Sequence, residues 1–312
     1  MRTVLDVFQV LLLLVMAPLV RGIIARIKAR IQNRRGASIL RPYQDLLKLF
    51  RKEDLAPSTA TTIFRISPVL VLGATVIASL FVPVLQDSAI ASISGDFILL
   101  VYFLAVARFF LMLGGLDGGS AFGGMGASRE ALVSTLAEAP LLLGLSAVAI
   151  FARSTNIAGV AHWTLEQGAA QFTAVQALAL VALALVAIAE TGRIPVDNPT
   201  THLELTMIHE AMVLEYSGPS LALIELASAL KLTVISALMI SLFAPWGMLT
   251  TPSALAIGIA LAVFVMKILV VIIIIALIES GVAKLRMYLV PDFLGVSLAL
   301  AVLAIVFAGI AR

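Results

Sequence analysis

Residues 189–220, AETGRIPVDNPTTHLELTMIHEAMVLEYSGPS, carry five carboxylates (Glu190, Asp197, Glu204, Glu210 and Glu215) and two histidines (His202 and His209) against one base, Arg193. Carboxyl groups taken partly out of water have raised pKa values, so they can hold and release protons near neutrality. The segment also has the punctuation of a helix. Asn198 and Pro199 suit an N-cap and a first helical position, and Thr201-x-x-Glu204 is an alternative capping box. This predicts a helix over about 199–216 with His202 and His209, seven apart, on one face. Between its acids the helix is apolar, with Leu203, Leu205, Met207, Ile208, Met212, Val213 and Leu214, which favours packing into protein over a solvated loop in which Glu204 is merely a cap. His209-Glu210-Ala211 is not H-E-x-x-H, so no metal site is expected.

A second set of ionisable groups lies inside long apolar runs: Arg108, Glu138, Glu225, Lys231 and Lys267. Each costs at least about 2.5 kcal/mol at the centre of a bare membrane helix, so all five are expected to face the interior of a bundle. One reading is a set of salt bridges that fixes helix order, in which Glu138 pairs with either lysine. The other is a hydrated proton path of Glu138, Glu190, Asp197, Glu204, Glu210, Glu215, Glu225, Lys231 and Lys267, with the acidic segment continuing the series. The path is the stronger expectation because the two sets join end to end. No Ser/His/Asp or paired-carboxylate catalytic arrangement is visible, and no nucleic-acid signature is either.

The elements that must position these groups are membrane helices. Of 312 residues, 61% are hydrophobic and 12% charged, and the mean hydropathy is +1.11. A soluble domain carries about 25% charged residues, so this chain could not cover its own surface in water. About eight apolar runs, near 4–25, 64–85, 97–116, 131–152, 173–190, 219–243, 254–278 and 291–311, are long enough to cross a hydrocarbon core of about 30 Å. With no period-two alternation to suggest a barrel, the expected fold is an all-α polytopic bundle, residues 1–312 forming a single integral membrane domain. Cysteine is absent, so thiolate-held iron–sulfur, zinc or nickel sites on this chain are excluded.

Charge sets the orientation. Arg21 and Arg26 follow the first apolar run rather than precede it, so that run is a first span and not a cleaved signal peptide. The segment 26–65 holds ten bases, whereas 86–96 has Asp87 and Asp96 and none. The positive-inside rule therefore puts both termini outside, and the loops at about 26–63, 117–130, 191–218 and 279–290 in the cytoplasm. In the first of these loops, Pro42 opens a short amphipathic helix with Leu46, Leu47, Leu49 and Phe50 on one side. Arg34, Arg35, Arg41, Lys48, Arg51 and Lys52, with Arg193 from the acidic segment, fit a docking face for a soluble partner. Spacing alone equally allows the helix to rest on anionic lipid headgroups of the bilayer. The run GGLDGGSAFGGMG (114–126) lacks the GK[ST] ending of a P-loop and reads as a flexible connection ending at Ser128 and Arg129.

Three segments, RIQNRRGASILRPYQDLLKLFRKED (30–54), FGGMGASREA (122–131) and AETGRIPVDNPTTHLELTMIHEAMVLEYSGPSLAL (189–223), resemble the membrane anchor of formate hydrogenlyase and related group 4, energy-converting nickel–iron hydrogenases. That anchor is homologous to the subunit 1 (H subunit) family of respiratory complex I, and the resemblance covers essentially the whole chain. It implies a helical bundle with tilted spans around an acidic cavity near the docking face. It also implies a non-catalytic subunit of a multi-subunit oxidoreductase, binding no cofactor itself. The partners it implies are hydrogenase large and small subunits and iron–sulfur subunits, which hold the NiFe centre and clusters, and antiporter-like membrane subunits. The complex would lie in a prokaryotic cytoplasmic membrane and link electron transfer to proton or sodium translocation.

The match to complex I itself is looser. Its longer quinone-entry segment is reduced here to GASILRPYQD (36–45), and of its E-T-N-R-x-P-F-D-L pattern Glu190, Arg193, Pro195 and Asp197 carry over while the Phe and Leu do not. A quinone-site subunit is thus the first alternative, and a purely structural anchor the second. An independent transporter would show an internal repeat, and 189–220 has no counterpart at 26–60. The orientation is testable: a reporter fused near Leu55 is expected in the cytoplasm and one fused after Arg312 outside, and finding both on one side would refute eight spans.

Overall fold

The computed structural model describes residues 2–86, 88–168, 172–198, 207–249 and 253–310. Thr201, His202 and Glu204 lie outside the described residues. The helices are α1 (Arg2–Ile31), α2 (Arg41–Phe50), α3 (Thr62–Ser79), α4 (Asp96–Asp117), α5 (Ala121–Ala152), α6 (Ile157–Gln167), α7 (Ala174–Glu190), α8 (His209–Val213), α9 (Gly218–Phe243), α10 (Ala254–Gly281) and α11 (Val290–Ile310). Seven of them (α1, α3, α4, α5, α9, α10 and α11) are long and apolar enough to cross a membrane, and the shorter apolar helix α7 occupies the remaining predicted span. The protein is a polytopic helical membrane protein, with no strand among the described residues.

Burial ranks these spans. The apolar window of α9 is 78% buried, against 22% for α10 and 28% for α11. Helix α9 is central because Ala222, Ala227, Ala229, Thr233, Ser236 and Ala237 give it small buried positions, and small side chains let membrane helices approach closely where no hydrophobic effect drives them together. Helices α1, α3, α6 and α7 pack on it, and α2 lies across α1 and α9. The unpredicted helix α6 starts where Asn156 accepts the Gly159 amide, and the buried Asp96 at the head of α4 accepts the Ile157 amide at 2.8 Å.

Side chains tie the connections down at both ends of the bundle. At one end Gln9 Oε1 accepts the amides of Val84 and Leu85, at 2.7 and 2.8 Å. At the other, which carries the basic segment, Asp117 accepts from the Thr61 amide at 2.8 Å and the Phe64 amide at 2.9 Å, capping α3. There Tyr216 stacks on Phe64 with ring centroids 4.0 Å apart, and Ser220 donates to Asp54 at 2.6 Å.

Two expectations change. The glycine run is not a flexible connection: α4 continues through Gly114 and Gly115, α5 begins at Ala121, and Ser120 caps α5 by accepting the Gly123 amide at 3.1 Å. The reason is close approach. A Cβ on Gly126 would stand 2.9 Å from both the Ala211 Cβ and the Ile208 carbonyl, and one on Gly115 would stand 3.1 Å from Met212. The glycines let α4 and α5 close on α8. The predicted helix over 199–216 is, among the described residues, only α8, because Asp197 Oδ2 accepts the amides of Ile208 and His209 and so starts the helix there. Overpacking a close contact costs about 1–3 kcal/mol. Gly126→Val is therefore expected to lower the thermal transition of the detergent-solubilised protein, whereas Gly124→Ala, where nothing lies within 4 Å of the added carbon, leaves it in place.

Candidate functional site

At the basic end of the bundle, the ends of α1, α7 and α10, the start of α8 and the turn at 191–198 meet over α3, α4, α5 and α9 around a cavity of about 580 Å³. Its floor is an ion triad. Glu190, whose side chain is fully buried, sits between Arg108 of α4 at 2.5 Å and Lys231 of α9 at 3.0 Å. A second triad forms its side: Glu279 of α10 pairs with Lys28 of α1 at 2.8 Å and with Arg193 at 3.1 Å. Burial pushes the Arg193 guanidinium below its ordinary value, Glu279 opposes that shift, and the nearby Arg21 adds to it. Asp197 pairs with Lys284 at 2.9 Å while capping α8.

Beyond the wall lies a groove of about 450 Å³ between α1, α2 and α9, lined by Pro18, Gly22, Leu46, Leu49 and Leu221 on its apolar sides. Arg21 lines both spaces and is ion-paired with Glu225 of α9, which faces the groove. That pair stands between the two.

Of the residues expected to carry protons, the structure gathers Glu190, Asp197 and Lys231 at the cavity and Glu225 beside it. Four others are placed elsewhere. Glu138 is half-buried on α5 and pairs with neither lysine, since Lys231 is held by Glu190. Lys267 donates to the carbonyls of Ala244, at 2.6 Å, and of Trp246, closing the C-terminal end of α9. Glu215 packs beside Gly118, and Glu210 is absent from the wall. Of the docking set, Arg34 and Arg35 are exposed at the cavity, Arg41 pairs with Asp45 at the groove, and Lys48, Arg51 and Lys52 are exposed on and after α2. Arg193 is instead a buried wall residue, its side chain 11% exposed, because Glu279 draws it inward.

The cavity also differs in sign from the acidic one that the resemblance implies. Among the described residues seven bases line it (Arg21, Lys28, Arg34, Arg35, Arg108, Arg193 and Lys231) against four acids. Glu279 escaped the sequence reading, and Arg21, Lys28 and Lys284 counted there only for orientation. One signal could have found Glu279: an acid in the last turn of an apolar helix opposes the helix dipole and needs a cation. Among the described residues no group of three or more His, Cys, Asp or Glu could hold a metal ion.

A family model described as NADH dehydrogenase matches residues 5–309. The chain belongs to this family, that of complex I subunit 1. This family member is 34% identical over 310 residues to formate hydrogenlyase subunit 4 of Escherichia coli (strain K12), covering 98% of either chain. It is 35% identical over 300 residues to hydrogenase-4 component C of the same organism, covering 96% of this chain and 93% of that relative. A chain in the structure of the membrane-bound sulfane sulfur reductase, an archaeal respiratory membrane complex, shares its fold with a TM-score of 0.84, covering 97% of this chain and 99% of that one at 24% identity.

In this complex I subunit 1 family member, removing the anion of the floor triad leaves two buried cations uncompensated, a change that costs about 3–5 kcal/mol where a buried pair is broken. Glu190→Gln is expected to lower the thermal midpoint strongly. Adding Lys231→Met should recover part of the loss, since pairs in direct contact are not additive. Equal midpoints for the single and double variants would show that the triad does not hold α4, α7 and α9 together.

Proposed function

We propose that this chain is the non-catalytic membrane subunit of a hydrogenase-type oxidoreductase complex, anchoring its soluble arm and linking electron transfer there to proton or sodium movement. The supporting observation is the cavity: a fully buried carboxylate between two cations at its floor, with exposed Arg34 and Arg35 at its rim. Relatives over nearly the whole chain named as a formate hydrogenlyase subunit and a hydrogenase component favour the hydrogenase branch over a quinone-site subunit. On this reading the basic end is cytoplasmic, in a prokaryotic inner membrane. Arg34, Arg35, Arg41, Lys48, Arg51 and Lys52 meet the hydrogenase large and small subunits and iron–sulfur subunits, and antiporter-like subunits lie alongside in the bilayer.

The chemistry this chain supplies is electrostatic. Charges in a low-dielectric site act on one another far more strongly than in water. Interacting titratable groups exchange protons as a set, so a charge change at the rim is felt at Glu190 and Lys231. Arginine stays charged, which leaves the carboxylates, Lys28, Lys231 and His209 as the cavity groups whose charge is not fixed. The test is Lys231→Gln in the intact complex. Hydrogen evolution with a soluble dye is expected to persist, because that chemistry lies on partner subunits, while ion translocation in proteoliposomes falls severalfold or more. Translocation at the parental rate would refute the coupling role. Charge reversal of Arg34, Arg35 and Arg51 together should release the soluble arm, since single surface pairs contribute only about 0.2–1 kcal/mol.

A further inference from the structure

His209 opens α8 and lines the cavity, yet its Nε2 is buried with no hydrogen-bond partner among the described residues. Its position is fixed by the backbone, whose amide is held by Asp197 at 3.1 Å. A buried ring nitrogen left unpartnered is unusual in a folded protein and calls for a reason. Histidine is also the side chain whose charge ordinarily changes between about pH 5 and 8.

The charges around it suggest what that nitrogen does. From α9, Glu225 stands in the field of both Arg21 and His209. From α1, Arg21 holds Glu225 and forms the partition between the cavity and the groove. From the 191–198 turn come Arg193, which feels Arg21, and Asp197, already paired with Lys284. Glu130 of α5 and the exposed Arg34 and Arg35 line the same cavity, and the other facing charges, Arg108 of α4, Glu190 of α7, Lys231 of α9, Lys28 of α1 and Glu279 of α10, are held in the two triads. On α8 itself Glu210 has a partner of its own. Glu225 is thus the carboxylate for which two cations would compete whenever His209 is charged.

We propose that His209 is a proton-binding switch: on taking a proton from cavity water, its imidazolium competes with Arg21 for the Glu225 carboxylate and loosens Arg21 from the partition between cavity and groove. Only an N–H bond forms, and the proton returns to cavity water when Arg21 closes again. The pair is only partly exposed, with Arg21 at 31% and Glu225 at 21%, so the two cations act on the carboxylate with less screening than at a free surface. This deepens the coupling role proposed above and rests on it, by naming the group through which the cavity and the groove communicate.

The experiment reads His209 directly. The chain has three histidines, so deuterium exchange at the imidazole C2 position, followed by mass spectrometry of the intact complex over about pH 5–9, gives the midpoint of each separately. Glu225→Gln removes the anion that favours the imidazolium, so the His209 midpoint is expected to fall by about one unit, a tenfold loss of proton affinity. Arg21→Gln removes the competing cation, so the midpoint is expected to rise. His162, on α6, should not move in either variant. A second arm records translocation against pH: the limb seen in the parent near the His209 midpoint should vanish in His209→Gln while dye-linked hydrogen evolution stays. An unmoved midpoint in Glu225→Gln overturns the switch, as do shifts of equal sign in the two variants or a translocation limb that survives in His209→Gln. If Arg21→Gln fails to assemble, the Glu225→Gln arm decides alone. Parental translocation in Lys231→Gln would instead overturn the coupling role while leaving the exchange result standing, so the two failures are distinguishable.

Discussion

A carboxylate carried into the middle of a membrane protein must bring its own cations, and Glu190 illustrates how much structure that requirement dictates. Its two partners come from different helices, Arg108 from α4 and Lys231 from α9, so satisfying one charge fixes three elements relative to one another. Glu279 repeats the device with Lys28 of α1 and Arg193 of the turn after α7. Together the two triads link α1, α4, α7, α9 and α10 around one cavity, in a setting where apolar contacts between helices gain little over contacts with lipid. The interior charges hold the bundle and equip its cavity at once.

The central position of α9 follows from the same constraint. It supplies both Lys231, for the floor triad, and Glu225, for the partition, and its small residues admit neighbours on several sides. The segment before it is pinned through Tyr216 on Phe64, and its own first turn through Ser220 on Asp54. Displacement of the basic segment would therefore be transmitted to the head of α9 through direct contacts, a mechanical route from the surface to the cavity.

How much of this was legible in the sequence depended on whether a feature is local. The spans were, because about 20 consecutive apolar residues have one reading in a membrane. The short helix after Pro42 was, because its amphipathic pattern is self-contained. The glycine run was not: that Gly126 must meet Ala211 is a fact about another part of the chain. Nor were the ion pairs, since Lys28 and Glu279 come from opposite ends of the sequence and neither is unusual alone. Glu138 and Lys267 passed every local criterion for a path residue, and only packing showed that one pairs with neither lysine and the other closes a helix end. The net sign of the cavity was hidden for a related reason: four of the seven bases that line it among the described residues, Arg21, Lys28, Arg34 and Arg35, come from the first helix and the basic segment, which counted in the sequence only for orientation or docking.

The placement of Lys267 limits how the molecule can move. Its ammonium rises from the middle of α10 to meet two carbonyls at the close of α9. A slip of α10 along α9 by a single residue is about 1.5 Å, and the lysine chain must bend to follow it or lengthen both hydrogen bonds. The two helices are thereby tethered in depth at one point, so a joint tilt leaves the tether undisturbed while a slide works against it.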